Sequence, residues 1–574
     1  MTAPILLAAS VAAVVAAALE VRRRSRANAL RLLRATWGRP VDRERRLDTI
    51  VASHRSRLAA IPSGGSLDDR TWDDLNLDDV FAAIDHCEST LGQQALYHRL
   101  RTAPVADHLE PFDALVSLFQ RDVGLRERAQ TVLSRLRDPH GYDLWWLAGR
   151  DAIDIRPWYV VFPMLTSATI VLALLSAFSS IALAALAGVV LVNLVTRYLT
   201  DRRILALAPA FRQLAPVVAT AERLRFLGGE DIRPLVGPLQ ADTPSLRRLK
   251  TIARWVSGDP LMLSMSQNPF ALLVSDIVNM AYEYLNLVFL LDANGVYFGA
   301  RGLDEHRHAL LRVLVAMGDV DAAISVASFR ASRSDWTRPR FRPAGEPGVL
   351  TAITHPLVVD AVPNTAALTP GLGLLITGSN MSGKSTFLRT VGVTAVLAQT
   401  LHTCLATDYH APVFHVRSCI GRADDLLTGR SYYITEVESL LGLVEASRVT
   451  APHLFLLDEL FRGTNAVERI AAGQAILQQL LLAADHAKPH VVLAATHDGE
   501  LVDLLPETYA AYHFGDTVAP DGLTFDHKLR PGPATTRNAI ALLRIHGAPE
   551  ELIDRATTCA ARLDAQRGAT LQSR

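Results

Sequence analysis

Apolar and polar positions change their pattern four times along this chain. Residues 3–19 carry no charge and are mostly Ala, Val and Leu, and Pro157 to Thr196 is again free of charged residues. The second stretch is roughly twice the ~20 apolar residues that one spanning helix takes. Ser176 to Ser180 divides it, which predicts a helical hairpin, with Trp158 and Tyr159 at one end and Tyr198 at the other placed as in an aromatic belt. Residues 40–150 and 200–335 show the periodic Leu positions of amphipathic helices. The apolar run 269–291 holds Asp276 and Glu283, charges that are costly inside a membrane, so it is expected to be a core helix. Residues 334–349, rich in Arg, Pro and Gly, read as a linker. From about residue 350, short apolar strands (373–377, 453–457, 490–495) alternate with helical stretches, which predicts a parallel α/β sheet.

A buried core hairpin is the alternative for 157–196, but core helices keep a polar face that this stretch lacks. A cleaved signal peptide is the alternative for 3–19. There the basic residues Arg22, Arg23, Arg24 and Arg26 follow the apolar run, which favours an uncleaved anchor. Those arginines, with Arg150, Arg156, Arg197, Arg202 and Arg203 around the hairpin, fall on one side, and the hairpin loop has none. The positive-inside rule then sets the N-terminus and the hairpin loop outside. The expected product is an integral membrane protein with the bulk of the chain in the cytoplasm.

Composition narrows the partners. Lys+Arg and Asp+Glu are equal at 58 each in 574 residues, so the basic excess usual in a nucleic-acid binder is absent. Cys87, Cys404, Cys419 and Cys559 are scattered and form no CxxC pair, which argues against a zinc site and against a disulfide framework.

The candidate chemistry begins where the strand Leu374–Thr377 runs into Gly378-Ser379-Asn380-Met381-Ser382-Gly383-Lys384-Ser385-Thr386 and then a helical pattern. This is a phosphate-binding loop in its strand–loop–helix context: backbone N–H groups wrap the phosphates and a helix N-terminus adds its positive dipole end. Lys384 is expected to reach the β- and γ-phosphates of ATP, and Ser385 to hold Mg²⁺. Further on, Leu454 to Glu459 is a buried strand ending in two carboxylates. Asp458 is expected to bind Mg²⁺ through water and Glu459 to polarise the attacking water. An acid-capped strand end is the plainer alternative. His497 ends the next apolar strand, where a histidine either contacts the γ-phosphate or plays a structural part.

The wording of these motifs resembles the MutS family of mismatch-repair ATPases. The loop carries that family's Asn-Met, Thr354-His355-Pro356 with Val362-Pro363-Asn364 is similar to its approach to the nucleotide pocket, and Ala495-Thr496-His497 matches. Ala423-Asp424-Asp425-Leu426 with Gly429-Arg430-Ser431 resembles the signature segment, whose serine in the family reaches the γ-phosphate bound by the opposite subunit. Asp458-Glu459 continues as Leu-Phe-Arg-Gly-Thr-Asn465, like the family's turn after the carboxylates. Upstream, Thr90-Leu91-Gly92 with Leu100 to Pro104 looks like the start of the family's helical core, and Gly318 to Phe329 like its end. The resemblance implies an ABC-like α/β P-loop ATPase domain C-terminal to an all-α core, with ATP and Mg²⁺ as cofactors and a homodimer whose nucleotide sites are composite. Ser431 joins the loop residues as a nucleotide contact. The mismatch-reading domain and its Phe-x-Glu wedge have no counterpart here.

The expected organisation is an anchor at 1–21, a helical region at 22–156, a spanning hairpin at 157–197, a helical lever at 198–335 and the ATPase domain at 350–565. The first functional expectation is a membrane-anchored, nucleotide-driven switch acting on a protein partner that the sequence does not name. The second is a DNA-binding mismatch-repair or recombination ATPase tethered to the membrane, which rests on resemblance alone. A transporter would need more spans and charges within them.

Overall fold

The computed structural model describes residues 20, 23–25, 27–41, 45–60, 66–102, 106–147, 157–199, 202–256, 280–379, 381–421, 432–449, 451–461, 464–482, 489–519, 522–534 and 539–572. The reading of 3–19 as an anchor therefore falls outside the described residues. The chain divides into two compact units: residues 1–64, 84–100 and 105–334, and residues 65–83, 101–104 and 335–574.

The first unit is helical. Its labelled helices are α1 (Thr90–Arg101), α2 (Ala106–Arg121), α3 (Val161–Leu175), α4 (Ser180–Leu199), α5 (Arg202–Leu224) and α6 (Leu291–Ala331). The 41-residue α6 is the spine: nearly every position from Leu310 to Arg330 is buried, and α2 and α5 pack along it. Asp321 of α6 accepts hydrogen bonds from the backbone N–H groups of Glu88 (2.9 Å) and Ser89 (2.7 Å) and from the Ser89 hydroxyl (2.6 Å), which caps α1. Gly318 lies against the Leu91 carbonyl and Ala95, so the two motifs 200-odd positions apart meet in one contact. Burial pushes the Asp321 carboxyl up to about 7 against the opposing pull of those donors.

α3 and α4 pack on each other, and residues 176–179 join them. Pro157–Leu175, which includes α3 and the turn before it, and α4 are each long and apolar enough, by length and composition, to cross a membrane. Their outer faces and the turn between them are exposed apolar surface: Leu174, Ile181 and Leu191, with Phe178 in the turn, are all more than half exposed. Their inner face holds Asn193, which donates to Thr169 Oγ1 (3.0 Å) and to the Val288 carbonyl (2.6 Å). Residues 280–289 are helical, and their Tyr282 and Asn286 are buried while Met280, Tyr284 and Leu285 are exposed. The core helix expected over 269–291 is thus buried on one side only in its described part, and Asp276 lies outside the described residues. At Leu290 (φ +51°) the helix breaks before α6 begins. The Phe289 carbonyl, left without a ladder partner, accepts from Thr166 Oγ1 (2.7 Å) and Asn294 Nδ2 (3.1 Å) instead.

The second unit holds a six-stranded sheet. In chain order its strands are β1 (Gly373–Thr377), β2 (His415–Ile420), β3 (His453–Asp458), β4 (Val491–Ala495), β5 (Tyr509–Ala519) and β6 (Gly522–Pro531). Their spatial order is β6-β5-β1-β4-β3-β2, and all neighbours are parallel except β5 and β6. The sheet is therefore mixed, where the sequence predicts a parallel one. β1, β3 and β4 are buried at every position, which is why they read as continuous apolar runs. The helices α7 (Lys384–Leu401), α8 (Tyr432–Ser447) and α9 (Ala466–Leu480) belong to this unit. A second, four-stranded sheet is built from 340–341, 348–353, 364–368 and 408–411. Residues 336–337, 340–341 and 348–353 are strands, so the stretch expected to be a linker is folded into the unit.

Residues 65–83 also belong here, although the sequence reading places them in the helical region. The helix Asp69–Asp74 docks on β2. Asp74 Oδ2 accepts from Ser418 Oγ (2.8 Å) and the Ile420 N–H (2.9 Å), Thr71 Oγ1 accepts from the Ser418 N–H (3.0 Å), and Arg417 pairs with Asp68 (2.6 Å). Arg389 of α7 donates to the Asp74 carbonyl (2.8 Å).

Candidate active site

β1, β3 and β4 end side by side, with Ala495 opposite both Asp458 and Ile376. Everything that leaves these three strands emerges at one edge, and loops at such an edge are where an open α/β sheet binds ligands. The loop after β1 turns sharply, with positive φ at Gly378 (+142°), Met381 (+68°) and Gly383 (+114°). A side chain at Gly378 would also press on the Phe514 carbonyl and Ser382 Oγ, each 3.0 Å from the position of a Cβ. The loop ends at Lys384, the first residue of α7.

Lys384 is buried, and its Nζ donates to the carbonyls of Gly378 (2.9 Å) and Ser379 (2.9 Å) and lies 3.5 Å from His497 Nε2. Ser379 Oγ and Ser382 Oγ are buried without a hydrogen-bond partner among the described residues. Unsatisfied hydroxyls beside a helix N-terminus, with a lysine between them, make a cradle suited to phosphate oxygens.

Asp458, the last residue of β3, is buried, and its Oδ1 has no hydrogen-bond partner among the described residues. A buried, unpartnered carboxylate oxygen at this edge is the donor a hard divalent cation takes, and Ser385 stands on the first turn of α7 as a hydroxyl donor. The two residues fit Mg²⁺. Among the described residues no group of three His, Cys, Asp or Glu side chains forms a complete metal site. An ion held here by Asp458 and Ser385 would take the rest of its shell from phosphate oxygens and water.

Glu459 follows with φ +52°, and its N–H donates to the Ala495 carbonyl (2.9 Å). Its Oε1 lies 2.7 Å from His497 Nε2. The histidine is thus set between the carboxylate and the lysine. This brings together Gly378, Ser379, Met381, Ser382, Gly383, Lys384, Ser385, Asp458, Glu459 and His497, and Thr386 is exposed one residue beyond. Asn380 and Ser431 lie outside the described residues, as do 422–431 as a whole.

Four groups to which the sequence assigns no role of their own hold the site, although Asn364 and Asn465 stand within its quoted motifs. Glu436 of α8 accepts from the Phe461 N–H (2.7 Å), where Phe461 itself has φ +57°. Asn465 caps α9 by accepting from the Glu468 N–H (3.0 Å). His527 of β6 contacts the Ser382 carbonyl with its Nδ1 at 3.0 Å, and the Asn364 amide pairs with the backbone of β6 there, accepting from the Leu529 N–H (2.7 Å) and donating to the His527 carbonyl (2.9 Å). A Glu on an otherwise apolar helix face is the available signal for Glu436. His527 carries no local signature.

Residues 374–564 match the MutS domain V family. The chain is 35% identical over 266 residues to the DNA mismatch repair protein MutS of Thermus thermophilus, covering 46% of this chain and 30% of that protein. It is 35% identical over 264 residues to the DNA mismatch repair protein MutS 2 of Halobacterium salinarum, covering 44% and 29%. The corresponding figures for the DNA mismatch repair protein MutS of Streptococcus equi are 33% over 269 residues, 45% and 30%. The chain spans about a third of the length of the curated relatives it matches.

Proposed function

We propose that this chain, which belongs to the MutS family through its domain V at residues 374–564, is a membrane-anchored ATPase that works as a nucleotide-driven switch. The observation that carries the ATPase reading is the convergence of Lys384, Glu459 and His497 within 3.5 Å contacts at one edge of the sheet, beside the unpartnered Asp458 oxygen. The loop N–H groups and Lys384 bind the β- and γ-phosphates. Mg²⁺, when bound, neutralises charge on those phosphates. Glu459 polarises the attacking water, and His497, in contact with both Glu459 and Lys384, orients it toward the γ-phosphate. Ser431, from a second copy of the chain, completes the γ-phosphate shell. The apolar hairpin α3–α4 holds the protein in the bilayer, and exposed Phe178 (90%) and Ile181 (80%) at its turn support that reading.

The test is nucleotide affinity measured beside steady-state turnover. Lys384→Ala should weaken binding at least tenfold. Glu459→Gln should bind ATP as the wild type does and lose hydrolysis, because only the water-polarising group is removed. Wild-type turnover in Glu459→Gln would sink the assignment. Mixing Ser431→Arg with Lys384→Ala subunits should restore part of the activity if the serine acts across a dimer, and none if it acts within its own subunit.

The relatives, which are DNA mismatch repair proteins, favour a second reading, in which this chain too acts on DNA. Its balanced charge of 58 basic and 58 acidic residues favours the first. Steep salt dependence of duplex DNA binding would select the second.

A further inference from the structure

The site's two working side chains, Glu459 and His497, come from different loops, and neither loop is regular. β3 hands over to Glu459 at φ +52° and Phe461 at φ +57°, conformations that a non-glycine residue keeps only under outside restraint. β4 hands over to Thr496–Gly499, which precedes a helix of five residues, Glu500–Leu504. Side-chain contacts fix the second loop. The Asp498 N–H donates to Thr496 Oγ1 (3.0 Å), and Asp498 accepts both arms of one guanidinium, Arg469 Nε (2.8 Å) and Nη2 (2.7 Å).

Arg469 stands on the first turn of α9, directly after the turn that follows the carboxylates. The fork therefore ties the chain leaving β3 to the chain leaving β4, next to His497. It also lies over a small apolar hollow lined by Leu375, Leu460, Leu477 and Leu501. A solvent-exposed pair contributes ~0–1 kcal/mol and little geometry. This one is bidentate, and its side chains are only 27% and 16% exposed, so it fixes direction as well as distance. The Asp498 hydrogen bonds raise the affinity of Arg469 for its proton, and the Glu459 charge adds to that effect.

We infer that Arg469 and Asp498 are positioning residues for the ATPase reaction: their fork sets the His497 loop so that the imidazole stays on Glu459. The inference rests on the ATPase reading above. Arg469 touches neither nucleotide nor water in this role and acts through Asp498 on its neighbour. A misplacement near 1 Å at a reacting group costs up to about 100-fold in rate.

The experiment uses the full chain in detergent or nanodiscs, with Arg469→Gln, Asp498→Asn and Arg469→Lys. Turnover should fall between about 10- and 100-fold in the first two, with the equilibrium affinity for a fluorescent ATP analogue within twofold of wild type. Arg469→Lys, which keeps the charge and loses the fork, should fall between wild type and Arg469→Gln. A purely structural role would lower the thermal midpoint and take nucleotide affinity down together with turnover, and Arg469→Lys would then show no intermediate rate at unchanged affinity. Wild-type turnover in Arg469→Gln, or a loss of nucleotide affinity as large as the loss of turnover, overturns the inference. A wild-type protein that does not hydrolyse ATP, or a Glu459→Gln variant that does, overturns the ATPase reading instead.

Discussion

Asp74 shows how much a single buried carboxylate can join. It takes hydrogen bonds from Ser418 and Ile420 on β2, while its own carbonyl holds Arg389 of the phosphate-loop helix. Burial raises its carboxyl above the ordinary carboxylate range, against the pull of its donors and of Arg70 and Arg389. Asp74→Ala should cost about 2–4 kcal/mol, because it leaves those donors buried and unpaired. Asp74→Asn should cost clearly less, since an amide oxygen still accepts and no charge is buried. Urea midpoints of the two variants decide it, and equal losses would show that the carboxylate charge is what β2 needs. None of this is legible in the sequence, where Asp74 is one acid among Asp68, Asp69, Asp73, Asp78 and Asp79. Lys384 is legible because its role is set within nine consecutive residues. Asp74 acts across more than 340 positions, and such a tether leaves no local pattern.

Among elements, β1, β3 and β4 are readable because strands buried on both faces must be apolar throughout. β5 and β6 are not: Asp516, Asp526, Lys528 and Arg530 interrupt their apolar runs, and their register slips between Phe514 and Asp516. The strands also carry a feature at their other end. His415 opens β2, His453 opens β3, and His490 precedes β4, with ring centroids 5.3 and 5.1 Å apart. His490 donates from Nε2 to the Ser447 carbonyl (2.7 Å) and accepts at Nδ1 from the His453 N–H (3.2 Å), so it must be neutral. Burial lowers all three, His453 to about 4. Unfolded histidines take up protons near 6.5, and these folded ones resist below that, His453 until about 4. Their contribution to stability is therefore complete above pH 6.5 and is lost as pH falls from there toward 4. Urea midpoints of the wild type should decline over that window, and His490→Gln should flatten the decline. An unchanged slope in the variant would remove the histidines as its cause.

At the scale of the whole molecule, topology is the open prediction. A single cysteine placed near Ser179, in an otherwise cysteine-free background, should react with an impermeant reagent added to intact cells. One placed at the C-terminus should react only after lysis. Labelling of the C-terminal cysteine in intact cells would reverse the orientation read from the arginines around the hairpin. The hairpin is legible because a stretch without charge is visible by inspection, whereas the split of the chain at residues 65–83 is not, since it depends on which distant strand a short helix docks against. The break at Leu290 has a consequence of scale. Below it, α6 runs without interruption for 41 residues, about 60 Å at ~1.5 Å per residue, and ends at Ala331, just ahead of the point in the chain where the second unit resumes at Asp335. A stiff rod of that length is an angular amplifier: a tilt of about 5° at one end sweeps the other through about 5 Å. Leu290 is where the amplification stops, because there the carbonyls of residues 288 and 289 are held by Asn193, Thr166 and Asn294 instead of by the next turn.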